Sequence, residues 1–179
     1  MEEKRKFKGY IQIYTGNGKG KTTAALGLAL RAAGHKQRVY IGQFLKGHLY
    51  GELLSAKILS PYITIEQFGR SGFIHVTKDP DTEDIQKAKR GLKKCLNAML
   101  SKKYRIIVLD EINVAVYFKL VSEKEVLEFL DQKPEEVEVI LTGRYAPASF
   151  LKRADLVTEM KEKKHYYRKG VKAREGIEK

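Results

Sequence analysis

Cysteine is nearly absent from this 179-residue sequence, and Cys95, standing alone, excludes an internal disulfide framework. Its place in a helical pattern suits a small core residue rather than a nucleophile. Long apolar runs are missing as well, and no window approaches the ~20 residues that a membrane-spanning helix needs. The stretch from Met1 to Lys8 is charged and has no apolar centre, so it does not read as a secretory signal. Repeats, low-complexity tracts and linker-like segments are not found. These absences point to one domain over residues 1–179 in the reducing cytoplasm, away from membranes. A flexible N-terminus of about residues 1–8 and a polar, surface-wrapping tail of about 161–179 are expected to flank its core.

Hydrophobic residues make up 42% of the chain, and a domain of this size buries roughly 70% of its unfolded surface, so a full core is available. Charge is unbalanced at +13, which attracts polyanions in general, ATP and nucleic acid among them. The lysines are dispersed, with clusters only at Lys4 to Lys8 and Lys161 to Lys169. Without an aromatic-and-basic recognition pattern, nucleic acid is not the expected partner.

Short β-rich runs alternate with helical stretches, the pattern of a parallel sheet covered by helices. Strands are expected at 10–14, 38–44, 62–68, 105–110, 136–141 and 155–158. Helices are expected at 21–33, closed by Gly34 just past its end, and near 52–58. A third starts at Asp79-Pro80 and runs to about 102, with Ile85, Ala88, Leu92, Cys95, Leu96 and Met99 at helical spacing. Ser122 and Glu125 form a capping box for a fourth.

Between the first strand and the first helix stands Thr15-Gly16-Asn17-Gly18-Lys19-Gly20-Lys21-Thr22-Thr23. The strict phosphate-loop pattern is missed at one position, since Thr15 occupies the place of its first glycine. Glycines at alternate positions still allow the backbone to curl its N–H groups around phosphate oxygens, and the helix adds its N-terminal donors. Gly16 to Thr23 therefore read as a nucleotide cradle, with Lys21 reaching the phosphates and Thr22 ligating Mg²⁺. Glycine amides accept any phosphate of the chain, so the orientation of ATP stays open. Asp110-Glu111 follows four apolar residues, as an acidic metal site does at the carboxyl end of a buried strand. Either carboxylate could face Mg²⁺, directly or through water, and Glu111 could activate a water or only hold the metal. His35, His48 and His165 lack metal-ligand spacing.

With both sites placed, the chain resembles the P-loop type of ATP:corrinoid adenosyltransferase. The resemblance rests on TGNGKGKTTAALGLALRAAGH at 15–35, QFLKG at 43–47, VLDEIN at 108–113, LTGRYAP at 141–147, ADLVTEM at 154–160 and GVKAREGIE at 170–178. It implies an αβα sandwich with a mainly parallel sheet, the P-loop NTPase (RecA-like) fold, and a homodimer. It also implies transfer of the 5′-deoxyadenosyl group of ATP to a reduced corrinoid of cobalamin or cobinamide type, with release of tripolyphosphate. An electron donor such as a flavoprotein would supply Co(I). The resemblance places Arg144 at the nucleotide, and Phe73, His75 and Asn113 at the corrinoid. His75 stands where the family often has tryptophan, which this chain lacks altogether. The alternative is a P-loop ATPase of motor or DNA-handling type, against which the short chain and the want of an arginine finger both count.

Charge on the departing phosphates is what the cradle must stabilise, and losing one such donor typically raises a barrier by ~3–4 kcal/mol. Lys21→Ala is therefore expected to nearly abolish adenosyl transfer at saturating ATP; near-normal turnover would remove Lys21 from the mechanism.

Overall fold

The computed structural model describes residues 7–70 and 80–179. Six parallel strands are present: β1 (Ile11–Thr15), β2 (Val39–Phe44), β3 (Ile63–Phe68), β4 (Ile106–Asp110), β5 (Glu138–Thr142) and β6 (Leu156–Glu159). They lie in the order β3-β2-β4-β5-β1-β6. Helices α1 (Lys21–Gly34), α2 (Gly51–Ile58), α3 (Thr82–Leu100), α4 (Ile112–Tyr117), α5 (Glu123–Asp131) and α6 (Ala148–Arg153) connect them.

Two cores, one on each face of the sheet, make the expected αβα sandwich. Along β4, Ile106 and Val108 pack toward α1 and α2, whereas Ile107 and Leu109 pack toward α3, α4 and α5. Because both faces are covered, β2, β4 and β5 are buried at every residue. Helix α1 meets the sheet through Ala25, Ala29 and Ala32, one stripe at helical spacing. Helix α3 does so through Ala88, Leu92, Cys95 and Met99, and the other two positions expected from periodicity, Ile85 and Leu96, pack partly buried against the same core. Cys95 is fully buried, as its pattern suggests.

Local differences from the expected elements have physical causes. Gly34 is the last residue of α1 rather than the one past it. The bond from Gln37 N to Ala32 O, at 3.0 Å, moves the left-handed turn to Lys36, whose φ is 60°. Asp79 lies outside the described residues; the cap of α3 is Asp81, whose side chain accepts from Glu83 N at 2.9 Å. The box at Ser122 and Glu125 is present with both of its bonds. Helices α4 and α6, six residues each, have no counterpart among the expected elements, since so short a run shows no period. Strand β5 starts two residues later than expected and takes in Thr142.

Helix α3 lies directly on β2 at Gly42. A Cβ there would collide with Cys95 Sγ and stand 3.2 Å from the Phe68 ring. Gly42→Ala is expected to destabilise the protein by about 1–3 kcal/mol through overpacking. Adding Cys95→Ala should recover part of that loss in urea unfolding, and a double variant no more stable than Gly42→Ala would contradict the contact.

Candidate functional site: a phosphate cradle facing a buried aspartate

Parallel strands put their carboxyl ends on one edge, and the residues expected to carry the chemistry meet there. Thr15 ends β1 and pairs with β6 instead of opening the loop, its carbonyl accepting from Met160 N at 2.8 Å. A strand conformation serves that position, so no glycine is needed. The loop's outer arc rests on Met160: Gly18 N donates to its carbonyl at 2.7 Å, and a Cβ at Gly18 would stand 2.8 Å from the same oxygen. Gly16 and Gly20 take φ of 93° and 119°, which other residues rarely adopt.

Lys21 is buried and folds back over the loop, donating to Gly16 O at 2.8 Å and Gly18 O at 2.7 Å. Burial pulls its ammonium below the ordinary lysine value, against the raising influence of Glu111. Thr22 Oγ1 donates to Asp110 Oδ1 at 2.8 Å, which leaves the hydroxyl lone pairs available to a cation.

Asp110 is fully buried and is saturated with donors. Besides Thr22, it receives Thr142 Oγ1 at 2.7 Å from β5, Gln43 Nε2 at 3.2 Å from β2, and Lys46 Nζ at 2.9 Å. Gln43 and Asp110 are register partners in neighbouring strands. Asp110 thus meets the cradle through Thr22, while Glu111, unlike Asp110, lines the cleft, as Glu52 and Glu178 also do. Burial, and next the charge of Asp110, push the Glu111 carboxyl above the ordinary value; Lys46, Lys21 and Arg144 oppose them. A hydroxyl and a carboxylate, completed by phosphate oxygens and water, form the all-oxygen set that Mg²⁺ favours. No group of three or more His, Cys, Asp and Glu suited to a metal occurs among the described residues, so the protein alone would supply only part of that shell.

The cleft encloses about 870 Å³. Lys19 to Thr23 and Glu111 form its polar end, and Leu26, Leu30, Leu59 and Ile63 its apolar end. The tail closes one side. Gly176 to Lys179 line the cleft, and Lys19 Nζ meets Glu178 Oε1 and Ile177 O at 3.3 Å each. Arg174 and Tyr166 also bind the Glu178 carboxylate. The tail is mostly exposed, and its last four residues line the cleft.

Gly16, Asn17 and Gly18 do not line the cleft in this conformation, and Asn17 is exposed. Arg144 is exposed just past β5, near enough to influence both Lys21 and Glu111. Asn113, expected at the corrinoid, lies in α4 beside the turn that follows β5. It is fully buried, its Nδ2 donates to Gly143 O at 3.1 Å, and it holds the turn that presents Arg144. Phe73 and His75 lie outside the described residues.

The description ATP:corrinoid adenosyltransferase BtuR/CobO/CobP matches residues 7–178. The chain belongs to the ATP:corrinoid adenosyltransferase family. It is 36% identical over 181 residues to the corrinoid adenosyltransferase of Sinorhizobium sp., covering 99% of this chain and 84% of that one. Identity is also 36% over 174 residues to the corrinoid adenosyltransferase of Escherichia coli K12, covering 96% and 86%. Among solved structures, the flagellar accessory protein FlaH of Methanocaldococcus jannaschii aligns with a TM-score of 0.60 at 16% identity, covering 85% of this chain and 71% of that one. A KaiC-like protein of Pyrococcus horikoshii aligns with a TM-score of 0.54 at 18% identity, covering 88% and 75%. These two bear on fold alone, and it is the RecA-like P-loop fold. No described helix is long and apolar enough to cross a membrane.

Gln43, Lys46, Thr142 and the tail cluster join the site without standing out as single residues in the sequence. The motifs QFLKG, LTGRYAP and GVKAREGIE contain or adjoin all of them.

Since the folded Glu111 carboxyl holds its proton more tightly than the unfolded one, its ionisation lowers stability as pH rises past the ordinary value of 4.5. Glu111→Gln is expected to raise the melting temperature of the ligand-free protein at pH 7, with the gain shrinking toward pH 4, while activity falls. A pH-independent difference between the two proteins would place the burial cost elsewhere.

Proposed function

We propose that this cleft transfers the 5′-deoxyadenosyl group of ATP to the cobalt of a reduced cobalamin- or cobinamide-type corrinoid and releases tripolyphosphate. The observation that carries the reading is the pairing of Thr22, at the head of the cradle, with the buried Asp110 across the sheet edge, in a chain of this family.

Co(I) is a strong nucleophile, so the attack on carbon needs no general base. The protein must instead hold C5′ in line with cobalt and stabilise charge on the departing phosphates. Lys21 is poised to stabilise that charge, because phosphate oxygens can replace its hydrogen bonds to Gly16 O and Gly18 O. The loop amides and the start of α1 add donors. Asp110 holds the Thr22 hydroxyl in one orientation, and Glu111 adds a carboxylate at the cleft wall. Mg²⁺, held by Thr22 and Glu111 with Asp110 behind them, would supply further positive charge to the phosphate chain. Arg144, beside Glu111 and Lys21 in charge though not in the cleft wall, serves the same anionic substrate.

An external donor, of flavoprotein class, has to provide the electron that forms Co(I). A cytoplasmic homodimer completes the reading. The lone buried Cys95 suits a reducing compartment, and the exposed Leu156 and Val157 of edge strand β6 offer apolar area to a second copy.

With Mg-ATP and chemically reduced cobalamin, the protein is expected to form tripolyphosphate in step with adenosylated corrinoid, and none without corrinoid; ³¹P NMR resolves the product. Orthophosphate release stimulated by DNA would place the chain among the ATPases instead.

A further inference from the structure

Three elements converge on Lys46, which has no part in the chemistry described so far. It follows Leu45, which leaves β2 with φ of 62°, a strained left-handed conformation for an aliphatic residue. Gly69, just past β3, lets that turn lie close: a Cβ there would stand 2.5 Å from Lys46 N and 2.8 Å from Lys46 O. From α2, Glu52 lies 3.5 Å from the ammonium, and from β4 Asp110 accepts its hydrogen bond at 2.9 Å. The side chain is 18% exposed, and it lines the cleft with Lys21 and Glu111. Burial works against its charge, yet Asp110, with Glu52 and Glu111, holds the ammonium above the ordinary lysine value.

Satisfying the hydrogen bonds of Asp110 does not by itself account for this construction. Thr22, Thr142 and Gln43 already donate to that carboxylate from within the fold. Thr22 Oγ1 and Lys46 Nζ hold the two oxygens of one carboxylate, so the ammonium stands a short reach from the head of α1, where the phosphate chain must lie. A flexible stem with three donors can turn from Asp110 to a phosphate oxygen without moving the backbone.

We propose that Lys46 is a second substrate-contacting cation of the transfer. Its ammonium binds the phosphate chain of ATP and, with Lys21, stabilises the charge that grows on tripolyphosphate as it leaves. The proposal rests on the transferase reading. In that step cobalt(I) gives an electron pair to C5′ and the Co–C bond forms. The C5′–O bond breaks, and its pair leaves on the tripolyphosphate oxygen with no proton transferred. Because the charge that Lys46 meets increases along the reaction, its loss lowers kcat more than it raises KM.

The test uses the full chain as wild type, Lys46→Met, Lys46→Gln and Lys46→Arg. Calorimetry measures binding of inorganic tripolyphosphate with Mg²⁺, and steady-state assays give kcat and KM for ATP. The Met and Gln variants are expected to bind tripolyphosphate about tenfold or more weakly, the loss of one charge-assisted bond. Their kcat should fall about 100-fold while KM for ATP changes by less than about threefold, and Arg should recover most of both. Gln keeps an amide donor, so if Met fails to fold, Gln and Arg decide. Unchanged tripolyphosphate affinity in the folded Gln variant overturns the proposal. So does a lower unfolding midpoint with no loss of affinity, which would make Lys46 a prop for Asp110 alone. A wild type that binds tripolyphosphate but makes no adenosylated corrinoid would sink the transferase reading, while the binding comparison would still test the contact.

Discussion

A single buried carboxylate sets the terms for this site. Asp110 has no solvent to stabilise it, and an unsatisfied buried charge costs several kcal/mol. Its two oxygens are answered by four donors from α1, β2, β5 and the turn after β2. Those donors cannot be arranged independently. Gln43 is placed by the β2–β4 register, Thr142 by the neighbouring β5, and Thr22 by the passage of α1 over the sheet. Satisfying one charge therefore fixes the carboxyl ends of three strands and the head of a helix relative to one another. The geometry a polyphosphate meets is held before the substrate arrives.

The cradle is supported from its other side by the end of the chain. Met160 closes against Gly16 and Gly18, and the Glu178 carboxylate holds Lys19. Inside the loop, Lys21 bonds two carbonyls that would otherwise face an anion site with lone pairs. In the ligand-free protein the ammonium therefore occupies the loop, and Gly16 to Gly18 do not line the cleft. The arrangement stores a partly desolvated cation, whose charge an arriving phosphate stabilises more strongly than water would in such a recess.

How much of this is legible in sequence depends on range. Local signals read well: the glycine-rich turn, the apolar run before Asp110, the capping box at Ser122, the helical stripe through Cys95. The convergence on Asp110 does not, because its partners come from 32 to 88 residues away and are joined only by strand order. Asp110 and Glu111 are indistinguishable as neighbours in a motif. The strand's end separates them, one turned into the sheet edge and the other, at φ of 63°, carried to the cleft wall. Asn113 reads as a corrinoid contact from resemblance, and its bond to Gly143 O is a second task that resemblance does not reveal. The tail shows no hydrophobic period at all, since an ion cluster rather than buried apolar area holds it.

Strain marks the same edge independently. Among the described residues, six other than glycine take positive φ. Lys36, Lys102 and Lys119 follow helices α1, α3 and α4, where a left-handed residue closes the last turn. Leu45, Glu111 and Tyr145 instead follow strands β2, β4 and β5, all at the carboxyl edge. Glu111 is also the N-cap of α4, but an N-cap ordinarily takes an extended backbone. Such left-handed conformations cost of order 1–3 kcal/mol each unless the surroundings enforce them. Each turns the chain where it leaves the sheet and sets one charged residue beside the cradle: Lys46 after Leu45, Glu111 itself, and Arg144 before Tyr145. A sheet optimised for stability alone would place glycine or asparagine at such turns. That three consecutive strands in the sheet keep larger residues there ties the strain to what the edge presents rather than to how the sheet holds together.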